Sequence, residues 1–113
     1  MSKTIYVAGK ITGLPDLNKP KFDAAVRELR SRGFIVRNPH EICDGLPEEE
    51  WHKCMRKCIA VMMECDIVVL LDDWVFSRGA IIESNLASDI GIEVEHYAIF
   101  LRNHDAKVKE VAA

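Results

Sequence analysis

Hydrophobic and polar positions along the chain alternate between two kinds of segment, short continuous apolar runs and longer stretches with helical spacing. Thr4-Ile5-Tyr6-Val7-Ala8 is a β-rich run stopped by Gly9, and a loop from Lys10 to Asn18 carries Gly13 and Pro15. A first helix follows, with Asn18 at the cap position, Pro20 in the first turn, and Phe22, Ala25, Val26 and Leu29 on one face. Gly33 ends it, and a second strand beginning Phe34-Ile35-Val36 closes at Asn38-Pro39. The spacing of Trp51, Met55, Cys58, Ile59 and Met62 predicts a second helix over Pro47 to Glu64. A third strand over Asp66 to Leu71 is apolar throughout after its first residue, and a third helix runs from about Gly79 to Ile90, where Gly91 stops it. Tyr97-Ala98-Ile99-Phe100-Leu101 reads as a fourth strand, with a short helix or a frayed tail after it.

Strand–helix alternation with uninterrupted apolar strands argues for a parallel sheet covered by helices on both faces. Right-handed crossovers then give a small α/β doubly wound, flavodoxin-like sandwich in the order 2-1-3-4. No repeat, low-complexity tract or linker interrupts it, so residues 1–113 are expected to form one domain.

Composition narrows the function classes. The chain has 113 residues, 49% of them hydrophobic and 29% charged, with a formal net charge of -3. That is enough apolar material for a single core. Mild acidity with scattered basic residues leaves no electrostatic footprint for a nucleic acid polymer. No apolar run is long enough to span a bilayer, and Met1-Ser2-Lys3 leads straight into the first strand, so the expected compartment is the cytoplasm. Cys43, Cys54, Cys58 and Cys65 are accordingly expected as reduced thiols. His52, Cys54 and Cys58 suggest a metal, but no Cys-x-x-Cys pair is present and Cys58 lies in an apolar stripe, so no metal is expected.

In this architecture ligands bind outside the carboxyl ends of the strands and at the start of the next helix. The first and third strands are neighbours there. Their ends bring Tyr6 and the loop Gly9-Lys10-Ile11-Thr12-Gly13 opposite Asp72, Ser77, Gly79 and Glu83, with Asn38-Pro39-His40 at the rim. The glycine-bearing loop offers backbone N–H groups and an ammonium suited to a phosphate or carboxylate. It matches neither a P-loop nor a dinucleotide fingerprint, and glycines of this kind commonly serve a turn. Glu83 shares a helical stripe with Ala80, Leu86, Ala87 and Ile90 that should face the sheet. It is either a first-turn glutamate favoured by the macrodipole with its head in solvent, or an acid placed for chemistry. In the second case the helix N-terminus is expected to keep it ionised. Asp72 and Asp73 end the third strand, where they suit a polar ligand edge or a sugar hydroxyl or else form a solvated turn pair, the better reading for Asp73. Trp74 and Phe76 either flank a planar ligand or cover apolar surface.

The segments Ile5-Tyr6-Val7-Ala8-Gly9, Phe22-Asp23, Asn38-Pro39, Cys65-Asp66-Ile67-Val68-Val69-Leu70 and Ser77-Arg78-Gly79-Ala80-x-x-Glu83 together resemble the nucleoside 2-deoxyribosyltransferase superfamily. The likeness is to its small phage and bacterial branch, related to the 2′-deoxynucleoside 5′-monophosphate N-glycosidases, and runs from about Thr4 to Leu101. It implies a flavodoxin-like sandwich that assembles as a homodimer or larger homo-oligomer and needs no cofactor. It further implies that Glu83 is the nucleophile, that Tyr6 positions it, that Gly9 to Gly13 bind the 5′ end of the ligand, and that Ser77 contacts a phosphate. The chain departs from the pattern at one position. Eight residues before Asp66, where the family places an aspartate that handles the proton of the leaving base, stands Cys58, so either a neighbour such as Asp72 serves as the second acid or the protein binds nucleotides without fast turnover. The expected activity is cleavage of the N-glycosidic bond of a 2′-deoxynucleoside or its 5′-monophosphate, by hydrolysis or deoxyribosyl transfer. The alternative is a nucleotide-binding module without turnover.

Overall fold

The computed structural model describes residues 2–112. Four parallel strands, β1 (Thr4–Ala8), β2 (Ile35–Arg37), β3 (Ile67–Leu70) and β4 (Glu93–His96), form one sheet in the order β2-β1-β3-β4. Five α-helices accompany them: α1 (Lys19–Ser31), α2 (Pro39–Ile42), α3 (Trp51–Met62), α4 (Arg78–Asp89) and α5 (Tyr97–Ala112). The order 2-1-3-4 expected from the strand–helix alternation is the order observed, and the fold is an α/β doubly wound sandwich.

The period-2 alternation of side chains divides β1 between two cores. Ile5 and Val7 point to the face covered by Phe22, Ala25, Val26 and Leu29 of α1, with Phe100 and Leu101 of α5 packed against it. Tyr6 and Ala8 point to the opposite face, where Cys58 and Met62 of α3 and Ala80 and Ala87 of α4 close over them. β1 and β3 are paired from Ile5↔Ile67 to Ala8↔Leu70, so their carboxyl ends lie level.

Several elements differ from the sequence expectation. The fourth strand is Glu93–His96 rather than Tyr97–Leu101, paired with β3 from Ile67↔Glu93 to Leu70↔His96. As an edge strand it needs only one half-buried apolar residue, Val94, and its alternating glutamates disguise it. Tyr97, Phe100 and Leu101 instead start α5, where a spacing of three and four residues puts all three against the α1-side core. The expected helix over Pro47–Glu64 starts late. A 3-10 turn at Glu48–Glu50 precedes α3, and a separate short helix, α2, follows β2. Ile90, expected on the buried stripe, is the exposed C-cap of α4.

Asn18 occupies the cap position of α1 but makes no capping bond. It lies in the left-handed region with φ 59°, and its amide donates to Lys10 O (2.8 Å) and Asp73 Oδ2 (3.0 Å). The expectation of four reduced thiols also fails. Cys43 and Cys54 form a disulfide between the end of α2 and α3, with their Cα atoms 5.5 Å apart, while Cys58 and Cys65 are free and buried. The helical turn at Pro39–Ile42 folds Cys43 back onto α3, a contact that spacing alone does not reveal. No helix among the described residues is long and apolar enough to cross a membrane.

Candidate active site

A crevice opens at the carboxyl end of β1, between the following loop, the N-terminal half of α3 and the start of α4. It has an inner chamber of about 70 Å³ and an outer one of about 300 Å³. Thr12, Trp51, Ser77 and Gly79 line both, so the two are continuous.

At the floor, Tyr6 Oη donates to Glu83 Oε2 at 2.5 Å. Tyr6 is fully buried and Glu83 is 4% exposed. The two residues are 77 apart in sequence and meet because Tyr6 alternates to the α4 side of the sheet while Glu83 is the sixth residue of α4 on its inward face. Burial pushes the Glu83 carboxyl up to about 7, and the Tyr6 hydrogen bond partly offsets that rise. This corrects the expectation that the helix N-terminus keeps Glu83 ionised. The dipole's influence fades beyond the first turn, and six residues in desolvation prevails. Tyr6 is itself driven well above its ordinary value, by burial first and by the Glu83 charge next, so its phenol stays a donor. Burial likewise raises the Cys58 thiol to about 11.

Ser77 ends the segment after β3 in extended backbone and caps α4, its Oγ accepting from the Ala80 N–H at 3.1 Å. Gly79 packs closely against α3, where a Cβ would lie 3.0 Å from Met55 Sδ and push that flexible side chain aside. The loop after β1 is held from below. Gly9 passes so near β3 that a Cβ would meet Leu71 Cβ at 3.0 Å and Asp73 Oδ1 at 3.1 Å, and the Lys10 N–H donates to Asp73 Oδ1 at 2.9 Å. Gly9, Ile11 and Thr12 line the inner chamber, while Lys10 and Thr12 line the outer one. Asp73 is therefore a fixture of the loop rather than a solvated turn residue, and it uses up the Lys10 N–H as an anion donor.

Four of the expected site residues lie elsewhere. Gly13 adopts φ +85° in an exposed turn and lines neither chamber. Asn38 is buried and caps α2, its Oδ1 accepting from the His40 N–H at 3.0 Å. His40 packs edge-on against Phe22, with ring centroids 5.0 Å apart, and burial lowers its pKa; only its neighbour Pro39 reaches the inner chamber. Asp72 has a side chain 84% exposed, paired with Lys21. It borders a different cavity of about 650 Å³ between α1 and the start of α5, and lines neither chamber of the crevice. That cavity is larger than the crevice but mostly apolar, and it contains neither Tyr6 nor Glu83.

Trp51, Met55, Cys54, Arg78 and Glu48 are crevice residues that the sequence reading did not assign. Trp51 and Met55 belong to the apolar stripe of α3, and a stripe does not distinguish a core face from a crevice wall. The Arg78 guanidinium carbon sits 4.8 Å from the Trp51 ring centroid, a cation–π contact across the mouth. Phe76 is 73% exposed at the outer chamber, whereas Trp74 leans toward His96 and borders the other cavity. Beneath the inner chamber Cys58 Sγ lies 3.5 Å from Cys43 Sγ and 4.0 Å from Cys54 Sγ, while the His52 ring packs edge-on against Trp51 instead.

The chain has no match among curated proteins. Residues 3–96, from just before β1 to the end of β4 and so enclosing the whole crevice, match the family described as a domain of unknown function, DUF4406, and the chain belongs to that family.

Proposed function

We propose that this protein cleaves the N-glycosidic bond of a 2′-deoxynucleoside or its 5′-monophosphate, with Glu83 as the nucleophile. The observation that carries the proposal is the buried Tyr6–Glu83 pair at the floor of a crevice whose mouth carries Lys10 and Arg78 beside Glu48. A carboxyl held near 7 is ionised in a substantial fraction at neutral pH and is poorly solvated, which favours attack on carbon. Ionised Glu83 forms a bond to the anomeric carbon as the bond to the base breaks, and the base leaves with the electron pair and takes up a proton from solvent. Water or a second base then displaces the enzyme carboxylate, which retains configuration overall. The Tyr6 phenol fixes the attacking carboxylate, and the negative charge of Glu83 stabilises an oxocarbenium-like transition state. Lys10, Thr12 and Ser77 hold the 5′ hydroxyl or phosphate at the outer chamber, and Trp51 offers a face for a planar base.

Asp72 drops out of the mechanism as the second acid because it lines neither chamber of the crevice and its exposed carboxylate pairs with Lys21. Cys58, close to Tyr6 and neutral, takes the place where a proton donor is expected. That observation favours a second reading, a nucleotide-binding module without turnover. Under either reading we propose a cytoplasmic homodimer or larger homo-oligomer. The exposed apolar residues Ile99, Val108 and Val111 of α5 support assembly, and light scattering on the purified protein tests it.

Purified protein incubated with a panel of deoxynucleosides and their monophosphates, assayed for free base, tests the first reading. Base release that is lost in Glu83→Gln supports it. Thermal stabilisation by the same ligands without base release transfers support to the binding module. A protein that neither releases base nor is stabilised by any ligand overturns both.

A further inference from the structure

Three sulfur atoms from two elements converge beneath the inner chamber. Cys43 follows α2, while Cys54 and Cys58 stand one turn apart on α3, and all three Sγ atoms lie within 4.8 Å of one another. We propose that, once the Cys43–Cys54 bond is reduced, Cys43, Cys54 and Cys58 form a trithiolate site for a single zinc ion.

The geometry fits that ion. Tetrahedral zinc with Zn–S bonds of about 2.3 Å requires neighbouring sulfurs roughly 3.8 Å apart. Cys58 Sγ is 3.5 Å from one partner and 4.0 Å from the other. Two of the three edges are therefore near the required length while the disulfide is closed, and opening it lengthens the third. Cys54 and Cys58, at i and i+4, project from one face of α3, the spacing by which helices present paired metal ligands. Three sulfur donors favour a thiophilic ion such as zinc over magnesium or calcium. Cys54 and Cys58 also line the inner chamber, so a fourth ligand comes from that side as water or a ligand atom.

The chemistry balances in two steps. A dithiol reductant gives two electrons and two protons to the Cys43–Cys54 bond and is itself oxidised to a disulfide, leaving three thiols. Zinc then replaces three thiol protons, which pass to solvent. Disulfide and metal thus exclude each other. In a compartment that keeps thiols reduced the metal form prevails. This inference rests on the sulfur cluster and does not require the crevice to cleave nucleosides; in the zinc form Cys58 is a thiolate and no longer a neutral proton donor beside Tyr6.

The test uses the full chain, reduced with a water-soluble phosphine and then freed of it, titrated with zinc alone and with cobalt as a spectroscopic substitute. The expected result is one equivalent of zinc bound per reduced chain and none per oxidised chain, with cobalt giving a thiolate-to-metal charge-transfer band and tetrahedral visible bands. Cys58→Ser should weaken zinc binding at least about tenfold, while Cys65→Ser should bind like the parent. The oxidised Cys58→Ser protein keeps the Cys43–Cys54 bond, so its circular dichroism reports whether the substitution has harmed the fold. Absence of zinc binding by the reduced parent overturns the proposal, as does equal zinc affinity in a folded Cys58→Ser protein. Peptide mapping that finds a Cys43–Cys58 bond formed in preference to metal uptake also overturns it.

Discussion

The Tyr6 hydroxyl donates to Glu83 Oε2 at 2.5 Å, and no ion pair to Glu83 occurs among the described residues. The carboxyl's proton affinity is therefore set by burial against this one hydrogen bond. A positioned nucleophile in a dry pocket needs both influences. Without burial it would be a solvated, sluggish carboxylate, and without the phenol it would stay protonated.

Tyr6→Phe isolates the second influence. Removing a hydrogen bond to an ionised group costs about 1.5–3 kcal/mol, which corresponds to about one to two pH units. The pH midpoint of base release should move up by that amount from about 7, and turnover at neutral pH should fall about five- to fiftyfold. A profile measured from pH 5 to 10 decides the matter, and an unshifted midpoint removes Tyr6 from its positioning role.

Gly9→Ala probes the loop that borders the floor. The new Cβ would sit 3.0 Å from Leu71 Cβ, a backbone-anchored atom that cannot rotate away, and 3.1 Å from Asp73 Oδ1. Separating β1 from β3 at their carboxyl ends should cost about 1–3 kcal/mol, as overpacking does elsewhere. Urea denaturation of the variant measures this, and an unchanged midpoint would mean that the two strands part there without penalty.

The fold was legible because each central strand is a continuous apolar run, and such runs leave few topologies once crossovers are right-handed. The edge strand was not, because Glu93-Val94-Glu95-His96 has neither length nor apolar content, and the true helix start at Tyr97 has a five-residue apolar run that reads equally well as a strand. The floor of the crevice was legible for a related reason. Tyr6 lies in an apolar strand and Glu83 on an apolar stripe, and each polar group needed a buried partner. The walls were hidden. Trp51 and Met55 obey the same periodicity whether they cover a core or line a chamber, and the Cys43–Cys54 contact depends on α2, a one-turn helix with little periodicity to detect.

Asp72 and Asp73 are adjacent in sequence and opposite in consequence. Asp73 accepts from the Lys10 N–H, the Asn18 amide and the Lys21 ammonium, and these contacts hold its carboxyl below the ordinary value despite burial. Asp73→Ala should cost about 1–3 kcal/mol by orphaning the Lys10 N–H and releasing the loop, and should impair ligand binding with it. Asp72→Ala removes an exposed partner of Lys21 and should stay within about 0.5 kcal/mol of the parent, with base release intact. Parallel denaturation and base-release assays on the two variants test the contrast. Loss of turnover in a stable Asp72→Ala protein would restore that residue as a catalytic acid.

Burial of Glu83 also ties stability to pH. In the oxidised protein its carboxyl titrates at about 7, against an ordinary value of 4.5 that the unfolded chain should show. Below 4.5 both states hold the proton, and the stabilisation associated with the raised pKa is fully present. Between 4.5 and about 7 the unfolded chain has lost the proton while the folded protein keeps it, so stability falls as pH rises. Above about 7 the folded protein carries the buried charge and the loss is complete, amounting to about 3 kcal/mol. Glu83→Gln mimics the protonated carboxyl and should abolish this component, so that the difference in unfolding free energy between variant and parent grows from pH 4.5 to 7 and then levels off. Urea titrations at half-unit pH intervals on both proteins measure that difference, and a flat curve would mean that Glu83 is ionised and solvated across the range, which would remove the basis for its role as a desolvated nucleophile.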